Sequence, residues 1–213
     1  AMEKGSSFGR KQTEDAWQNA EVDALYRLAE AGVRVPTPFG CFEGVLLMEL
    51  ITDGEGAVAP RLNDISMTKE QAIEDHALVM SNVQRMLVAG LVHGDLSEFN
   101  VLVDADGPVI IDLPQAVDAA ANNNAQAMLK RDVDNMTNYY GQFAPELLET
   151  NYAAEIWSLF EAGELLFETE LTGQFSESTE SADIDTVMQE IKAAIEEEQE
   201  RQARINYDDL EEL

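Results

Sequence analysis

The most constraining feature of this chain is a polar loop followed by two short apolar runs that end in an aspartate. The loop reads His-Gly-Asp-Leu-Ser-Glu-Phe-Asn over residues 93–100, and the second run ends at Asp112. An Asp-Gly dipeptide between the two runs is typical of a β-hairpin turn. We therefore predict strands over 101–104 and 109–112, paired so that Asp112 returns beside the loop.

Three polar side chains in this stretch have the spacing that phosphoryl transfer requires. Asp95 could orient an attacking hydroxyl or water by accepting its hydrogen bond. Asn100 and Asp112 offer one neutral and one anionic oxygen, which suit Mg²⁺ (or Mn²⁺) bridging nucleotide phosphates. Ordinary turn residues are the alternative, but the ordered loop, strand, turn and strand favour a kinase-type catalytic loop. We interpret His93 as a structural residue packed under the loop.

These motifs resemble those of the RIO family of atypical protein kinases and ATPases. The family loop H-[AG]-D-L-S-[EA]-[YF]-N is matched throughout residues 93–100, and Ile-Asp-Leu-Pro-Gln over 111–115 fits its metal segment I-D-x-[SP]-Q. Most other protein kinases would have Asp-Phe-Gly at the metal segment. Four further segments resemble family motifs: 28–38, 46–51, 59–62 and 130–136.

The resemblance implies an α+β, protein-kinase-like fold with a mainly helical C-lobe and a remnant N-lobe. The expected divisions are a remnant N-lobe of one helix and a hairpin (1–52), a C-lobe (53–175) and an acidic C-terminal helix or tail (176–213). The family's phosphate-covering loop and strand lysine are not recognisable in the sequence. We expect a truncated sequence, upstream residues missing from it, or a degenerate pseudokinase.

The expected nucleotide contacts lie in the hinge, whose backbone could hydrogen-bond an adenine edge. Met48, Glu49 and Ile51 are the candidates. Met48 could instead simply fill the core, which is the commoner role of a methionine. Glu21 matches the helix glutamate that pairs with the strand lysine in the family, whereas the residue pattern alone favours a solvated charge.

The predicted function is that of a RIO-type, ATP-dependent serine/threonine protein kinase or ATPase, with activity of this chain left open. Its acceptor would be a protein or the chain itself. The short connection after Asp112 favours ATPase or self-phosphorylation chemistry, and the resemblance suggests that Asp112 itself becomes transiently phosphorylated. One alternative is a small-molecule phosphotransferase of the aminoglycoside or choline kinase type, which usually has His where Ser97 stands. The other is a non-catalytic pseudokinase or scaffold.

The chain is strongly acidic, with 42 acidic and 13 basic residues and a formal net charge of −29. Self-repulsion of this size destabilises a compact state unless salt screens it. We therefore hypothesise a halophilic or salt-accumulating source, which a loss of stability on adding molar salt would disprove. The charge also argues against a direct nucleic-acid footprint, although many RIO proteins act in ribosome assembly.

Other features narrow the class of protein. Cys41 is the only cysteine, so an internal disulfide and a cysteine zinc site are excluded. Two histidines are too few for a histidine-rich metal site. No apolar run approaches the ~20 residues that span a bilayer, and no secretory leader is recognisable, so a cytoplasmic location is the default expectation.

Apolar periodicity and capping residues predict five helices. Thr68 and Gln71 form a potential capping box at the start of the second. Arg131 and Asp132 fall on the third, where they could form a structural ion pair or tether the catalytic loop. The predicted helices cover residues 13–31, 68–90, 125–140, 146–165 and 183–205.

Overall fold

Helices form the larger part of the fold in the computed structural model, which describes residues 21–42 and 45–175. All of these residues lie in the first of two units, 1–175. The predicted helix 183–205 and residues 13–20 of the first predicted helix lie outside the described residues. The described elements are α1 (21–30), β1 (Pro38–Phe42), β2 (Val45–Met48), α2 (Lys69–Val88), β3 (Leu91–Val92), β4 (Val101–Asp104), β5 (Gly107–Ile110), β6 (Val117–Asp118), α3 (Ala125–Gly141) and α4 (Tyr152–Glu161).

The strands form three separate antiparallel pairs, β1–β2, β3–β6 and β4–β5. In the β4–β5 hairpin, Val101 is opposite Ile110 and Asp104 is opposite Gly107, so the predicted hairpin is confirmed. The prediction that its second strand reaches Asp112 is wrong. Strand β5 ends two residues earlier, and Asp112 has a φ of 70°, which is incompatible with an extended strand.

Helix α2 begins where its capping residues predict. The Thr68 side chain accepts a hydrogen bond from the backbone N–H of Gln71 at 3.2 Å. The reciprocal half of the capping box is absent from this helix, because the Gln71 amide donates to Asp75 at 2.8 Å instead. The helix ends at Val88, slightly before the predicted end, and Gly90 then adopts a φ of 79°.

The single helix predicted over 146–165 is wrong in one respect. The structure has a short 3-10 helix, Pro145–Glu149, followed by a break and then α4. Asn151 caps α4 by accepting from Ala154 N, while the Thr150 hydroxyl donates back to Leu147 O. Such short polar side chains stabilise helix ends rather than helix interiors.

The apolar faces of α1 to α4 form one core on which the loops of the site rest. Burying an aliphatic side chain of this kind contributes roughly 1.5–3 kcal/mol. None of the described helices is long and apolar enough to cross a membrane. Fully buried members of the core include Leu28, Leu62, Val79, Leu87, Met136 and Ile156.

Candidate active site

The loop that holds Asp95 is fixed by a carboxylate on α3. Asp132 is 1% exposed, and its two oxygens accept hydrogen bonds from Gly94 N at 2.7 Å and Leu96 N at 3.0 Å. These two residues flank Asp95, whose own side chain is exposed. These two bonds fix the backbone on both sides of Asp95, while the Asp95 carboxylate faces solvent.

Two further side chains of α3 bind the same loop through its carbonyl groups. Arg131 donates to Gly94 O, and Asn135 Nδ2 donates to Leu96 O at 3.0 Å. The sequence allows Arg131 and Asp132 either to form a structural ion pair or to tether the loop, and the structure shows that both residues tether the loop. Burial raises the pKa of Asp132, and the hydrogen bonds from Gly94 and Leu96 act in the opposite direction.

His93 connects the loop to the segment that precedes Asp112. It is 2% exposed, with Nε2 3.1 Å from Ile111 O and Nδ1 accepting from Asp95 N at 3.3 Å. A neutral ring protonated on Nε2 satisfies both contacts. Burial lowers the pKa of His93, which favours this neutral form.

Asn100 lies between the loop and Asp112. Its side-chain amide donates to Asp95 O at 2.9 Å, and its backbone oxygen accepts from Ile111 N at 3.0 Å. No hydrogen bond among the described residues uses the side-chain oxygen of Asn100, which leaves it available for a ligand. Asn100 thus adjoins both Asp95 and the residue before Asp112.

Asp112 is the only non-glycine residue with positive φ in the described part of the chain. Such a conformation is uncommon for residues with a Cβ, and strained residues of this kind cluster at functional sites. No group of three or more His, Cys, Asp or Glu side chains in that same part could hold a metal unaided. Mg²⁺ fits the donors present, because it is commonly bound through one or two protein groups plus water and phosphate oxygens.

A mainly apolar pocket of about 310 Å³ opens beside Asp112. Its lining includes the three candidate nucleotide residues, Met48, Glu49 and Ile51, and also Glu21 of α1. Met48 is 40% exposed, so it does not act as a core filler. The structure therefore brings four residues predicted from distant segments to one cavity with the candidate metal ligand.

Several backbone groups of the hinge at this pocket make no hydrogen bond within the described residues, among them one acceptor on Glu49 and one donor on Ile51. Glu49 N donates to Thr37 O at 2.9 Å, and Ile51 O accepts from Ala59 N at 3.0 Å. Within the described residues, no hydrogen bond uses Glu49 O or Ile51 N. The Glu49 carboxylate is itself held by the Thr37 hydroxyl and N–H, which lower its pKa. Any contact of Glu49 with an adenine edge would thus come from its backbone.

Glu21 and Asp112 make one end of the pocket anionic. Burial raises the pKa of Glu21, and the nearby charge of Asp112 raises it further. Two carboxylates this close favour a cation between or beside them. Ser97 does not line the pocket, and its backbone oxygen accepts from Asn100 N at 2.9 Å within the loop.

Sequence reasoning assigned no role to Gln115, although it closes the Ile-Asp-Leu-Pro-Gln motif. Its Nε2 lies 3.5 Å from Asp95 Oδ2, at the outer limit of a hydrogen bond. The turn is kept there by Gly94, where a Cβ would come within 2.8 Å of Gln115 O. Only glycine, with φ of 82° at this position, permits the approach.

The loop, the strained aspartate and the hinge pocket together define a protein-kinase-like site. A family model described as "RIO domain" matches residues 1–153. The chain belongs to the RIO domain family, which confirms the resemblance and the predicted α+β, kinase-like fold.

Relatives of known name agree with this membership. The chain is 39% identical over 128 residues to "RIO-type serine/threonine-protein kinase Rio1" of Haloferax volcanii. The aligned residues make up 59% of this chain and 42% of that relative. It is 34% identical over 127 residues to "Serine/threonine-protein kinase rio1" of Schizosaccharomyces pombe, over 58% of this chain and 25% of the relative. With "Serine/threonine-protein kinase RIO3" of Caenorhabditis elegans it shares 32% identity over 178 residues, or 79% of this chain and 34% of that protein.

The chain spans less than half the length of these three relatives. Membership of a kinase family implies ATP and a divalent metal ion in general terms.

Proposed function

We propose that this chain forms the metal-binding and catalytic part of a RIO-type serine/threonine protein kinase or ATPase. The observation that carries the proposal is the junction of Asp95, Asn100 and the strained Asp112 beside the hinge pocket. Phosphoryl transfer depends mainly on positioning and charge stabilisation. A tethered loop with an exposed carboxylate meets the first requirement.

Each candidate residue has a distinct role in this proposal. Asp95 accepts the proton of the attacking hydroxyl or water and orients it. Asn100 Oδ1 and the Asp112 carboxylate hold Mg²⁺ (or Mn²⁺), which when bound neutralises charge on the nucleotide phosphates. His93 supports the loop through the contacts described above, and Ser97 stabilises its turn through its backbone oxygen.

The adenine would bind at the hinge. Glu49 O would accept a hydrogen bond from the exocyclic amine and Ile51 N would donate to a ring nitrogen, since both groups are among those without a partner in the described residues. Met48 would make apolar contact with the adenine in the same pocket. The Glu21 carboxylate would attract a cation at the Asp112 end of the pocket, where the phosphates would bind. The acceptor we propose is water, a protein hydroxyl or this chain itself. By analogy with the family, ribosome assembly is the proposed context.

The deciding experiment is calorimetric titration of Mg-ATP into the full chain in high salt, followed by phosphate release. We expect magnesium-dependent binding that Asp112→Asn abolishes, together with all metal-dependent turnover. Asp106→Asn is the matched control, because Asp106 is exposed on the same hairpin and its carboxylate has no hydrogen-bond partner among the described residues. A fully active Asp112→Asn variant would contradict the assignment.

A non-catalytic binding module is the second candidate, and one observation favours it. Several apolar side chains of the β1–β2 hairpin are exposed, among them Phe39 (60%), Phe42 (65%) and Val45 (68%). The same titration separates the two candidates, because a folded chain that binds no Mg-ATP would favour the binding module.

A further inference from the structure

Arg34 lies in the segment between α1 and β1 and bonds to three other elements at once. Its backbone N–H donates to Asn82 Oδ1 on α2 at 2.9 Å. Its carbonyl accepts from Ile110 N on β5 at 2.8 Å, and its Nη2 donates to Asp104 Oδ2 at the end of β4 at 2.7 Å. Asn82 is 5% exposed, so the α2 end of this connection is buried.

The hairpin bound by Arg34 is the one that carries both candidate metal ligands. Asn100 directly precedes β4, and Asp112 follows β5 by two residues. The amides of Ile110 and Ile111 are bonded in turn by Arg34 O and Asn100 O. A shift of the hairpin against α2 would therefore move Asn100 and Asp112 together, away from the hinge pocket.

The Arg34 guanidinium lies against the turn end of the β4–β5 hairpin, where it pairs with Asp104. Its pair with Asp104 is largely shielded, with side-chain exposures of 32% and 15%. Beside it lies Gly107, whose φ of 112° favours glycine and whose added Cβ would lie 2.9 Å from the end of the Leu78 side chain and 3.8 Å from Arg34 Nη1. Nη2 donates to Asp104, whereas the buried Nη1 has no hydrogen-bond partner, so Asp104 is the one partner of the Arg34 guanidinium among the described residues.

The other ion pairs of the described residues have different positions. Lys69 pairs with Glu146, and Lys130 pairs with Asp134, all of them with side chains about half exposed or more. Neither pair includes a residue of the β4–β5 hairpin. Arg34 is thus distinguished by its location and its burial, in a chain with only 13 basic residues.

We propose that Arg34 is a positioning residue that sets the β4–β5 hairpin, and with it Asn100 and Asp112, against α2. The consequence for metal and nucleotide binding rests on the proposed function, whereas the consequence for the hairpin does not. Groups that orient metal ligands from outside the first coordination sphere typically alter metal affinity 10- to 100-fold. Arg34 acts in this way without touching the nucleotide.

Hydrogen–deuterium exchange on the full chain tests the proposal without requiring activity. Arg34→Gln is compared with Lys69→Gln, which makes the same change in charge at an ion pair away from the hairpin. We expect amide exchange over residues 101–111 to become about tenfold faster in Arg34→Gln alone, with α3 and α4 unchanged. The exchange rate in Arg34→Lys should lie between those of wild type and Arg34→Gln, because lysine keeps the positive charge and loses the guanidinium that bonds to Asp104. Unchanged exchange, or equal acceleration throughout the chain, would overturn the proposal.

Mn²⁺-dependent ADP binding provides the second readout. Arg34→Gln should weaken it about tenfold and leave metal-free ADP binding unaltered, which a general loss of stability would not do. If the wild-type chain binds no Mn-ADP, the proposed function fails while hydrogen exchange still decides the role of Arg34. If wild type binds and Arg34→Gln binds equally well, the positioning role fails and the proposed function stands.

Discussion

The loop of residues 93–100 and the β1–β2 hairpin belong to the same proposed site but are stabilised in different ways. Asp132 and its neighbours on α3 hold the loop through hydrogen bonds to residues almost forty positions earlier in the chain. The hairpin is held mainly by its own strand pairing and by Thr37. Many of its apolar side chains are also exposed to solvent, with Phe42 65% and Leu47 53% exposed.

This difference separates the two halves of the proposed chemistry. The groups for metal binding and acceptor orientation rest on a buried helical core, so their geometry is built into the fold. Of the groups for adenine binding, Met48 ends the small β1–β2 sheet and is 40% exposed, whereas Ile51 is buried in a separate cluster with Ala59 and Val109. The sheet part of this half has little burial to oppose local motion. We expect mutations to affect the two halves to very different extents.

The largest effect should come from removing the buried tether. In Asp132→Asn the amide can accept from only one of the two N–H groups of Gly94 and Leu96, and its NH₂ opposes the other. Hydrogen bonds to charged groups contribute roughly 1.5–3 kcal/mol each, so the free energy of unfolding should fall by about 4 kcal/mol.

The matched control is Asp134→Asn, on the same helix, where the aspartate is 47% exposed and paired with Lys130. Its free energy of unfolding should change by less than about 1 kcal/mol. Urea denaturation of both variants measures the contrast. Equal losses would show that the catalytic loop is not held as the structure indicates.

Local signals in the sequence predict several elements of this fold. The Asp-Gly turn and the apolar runs predicted the β4–β5 hairpin, because strand pairing across a tight turn depends on neighbouring residues. Thr68 likewise predicted the start of α2. The order of motifs then gave the kinase-like class and brought Asn100 close to Asp95.

Long-range contacts could not be read in the same way. Nothing near Arg34 in the sequence signals a partner at Asp104. The sequence also allows two roles for Asp132, an ion pair with Arg131 or a tether of the loop, because only the folded chain places α3 beside the loop. The break before α4 was also missed, since apolar residues on both sides of Asn151 keep a helical spacing. The positive φ of Asp112 has no sequence signal beyond the tolerance of aspartate for that conformation.

A pair of identical substitutions compares the core with the hairpin directly. Leu129 on α3 is 2% exposed, whereas Leu47 on β2 is 53% exposed. Leu129→Ala should lower the free energy of unfolding by about 3 kcal/mol through lost burial and a residual cavity. Leu47→Ala should lower it by less than about 1 kcal/mol. Thermal and urea unfolding would measure both, and a comparable loss in Leu47→Ala would mean that the hairpin is packed far more closely than its exposure indicates.

Acid should weaken the helical region through His76, a buried residue at the interface of α2 with α3. Its Nε2 lies 3.0 Å from Thr137 Oγ1, and its ring meets Tyr140 and Tyr152 edge-on. Burial lowers the pKa of His76 to about 4 from an ordinary value of 6.5. Between these values the unfolded chain binds more protons than the folded one, so this contribution to stability is complete above pH 6.5 and is lost as the pH falls towards 4.

The contribution can be isolated by comparison with His76→Gln, which keeps a hydrogen-bonding group and cannot titrate. Other buried groups, including His93, titrate in both proteins, so the difference between the two unfolding curves reports His76. From pH 8 to pH 5, wild type should lose about 2 kcal/mol more than the variant. Parallel curves would mean that His76 is charged or solvated in the folded protein. The interface of α2 with α3 would then be packed less tightly than the burial of His76 indicates.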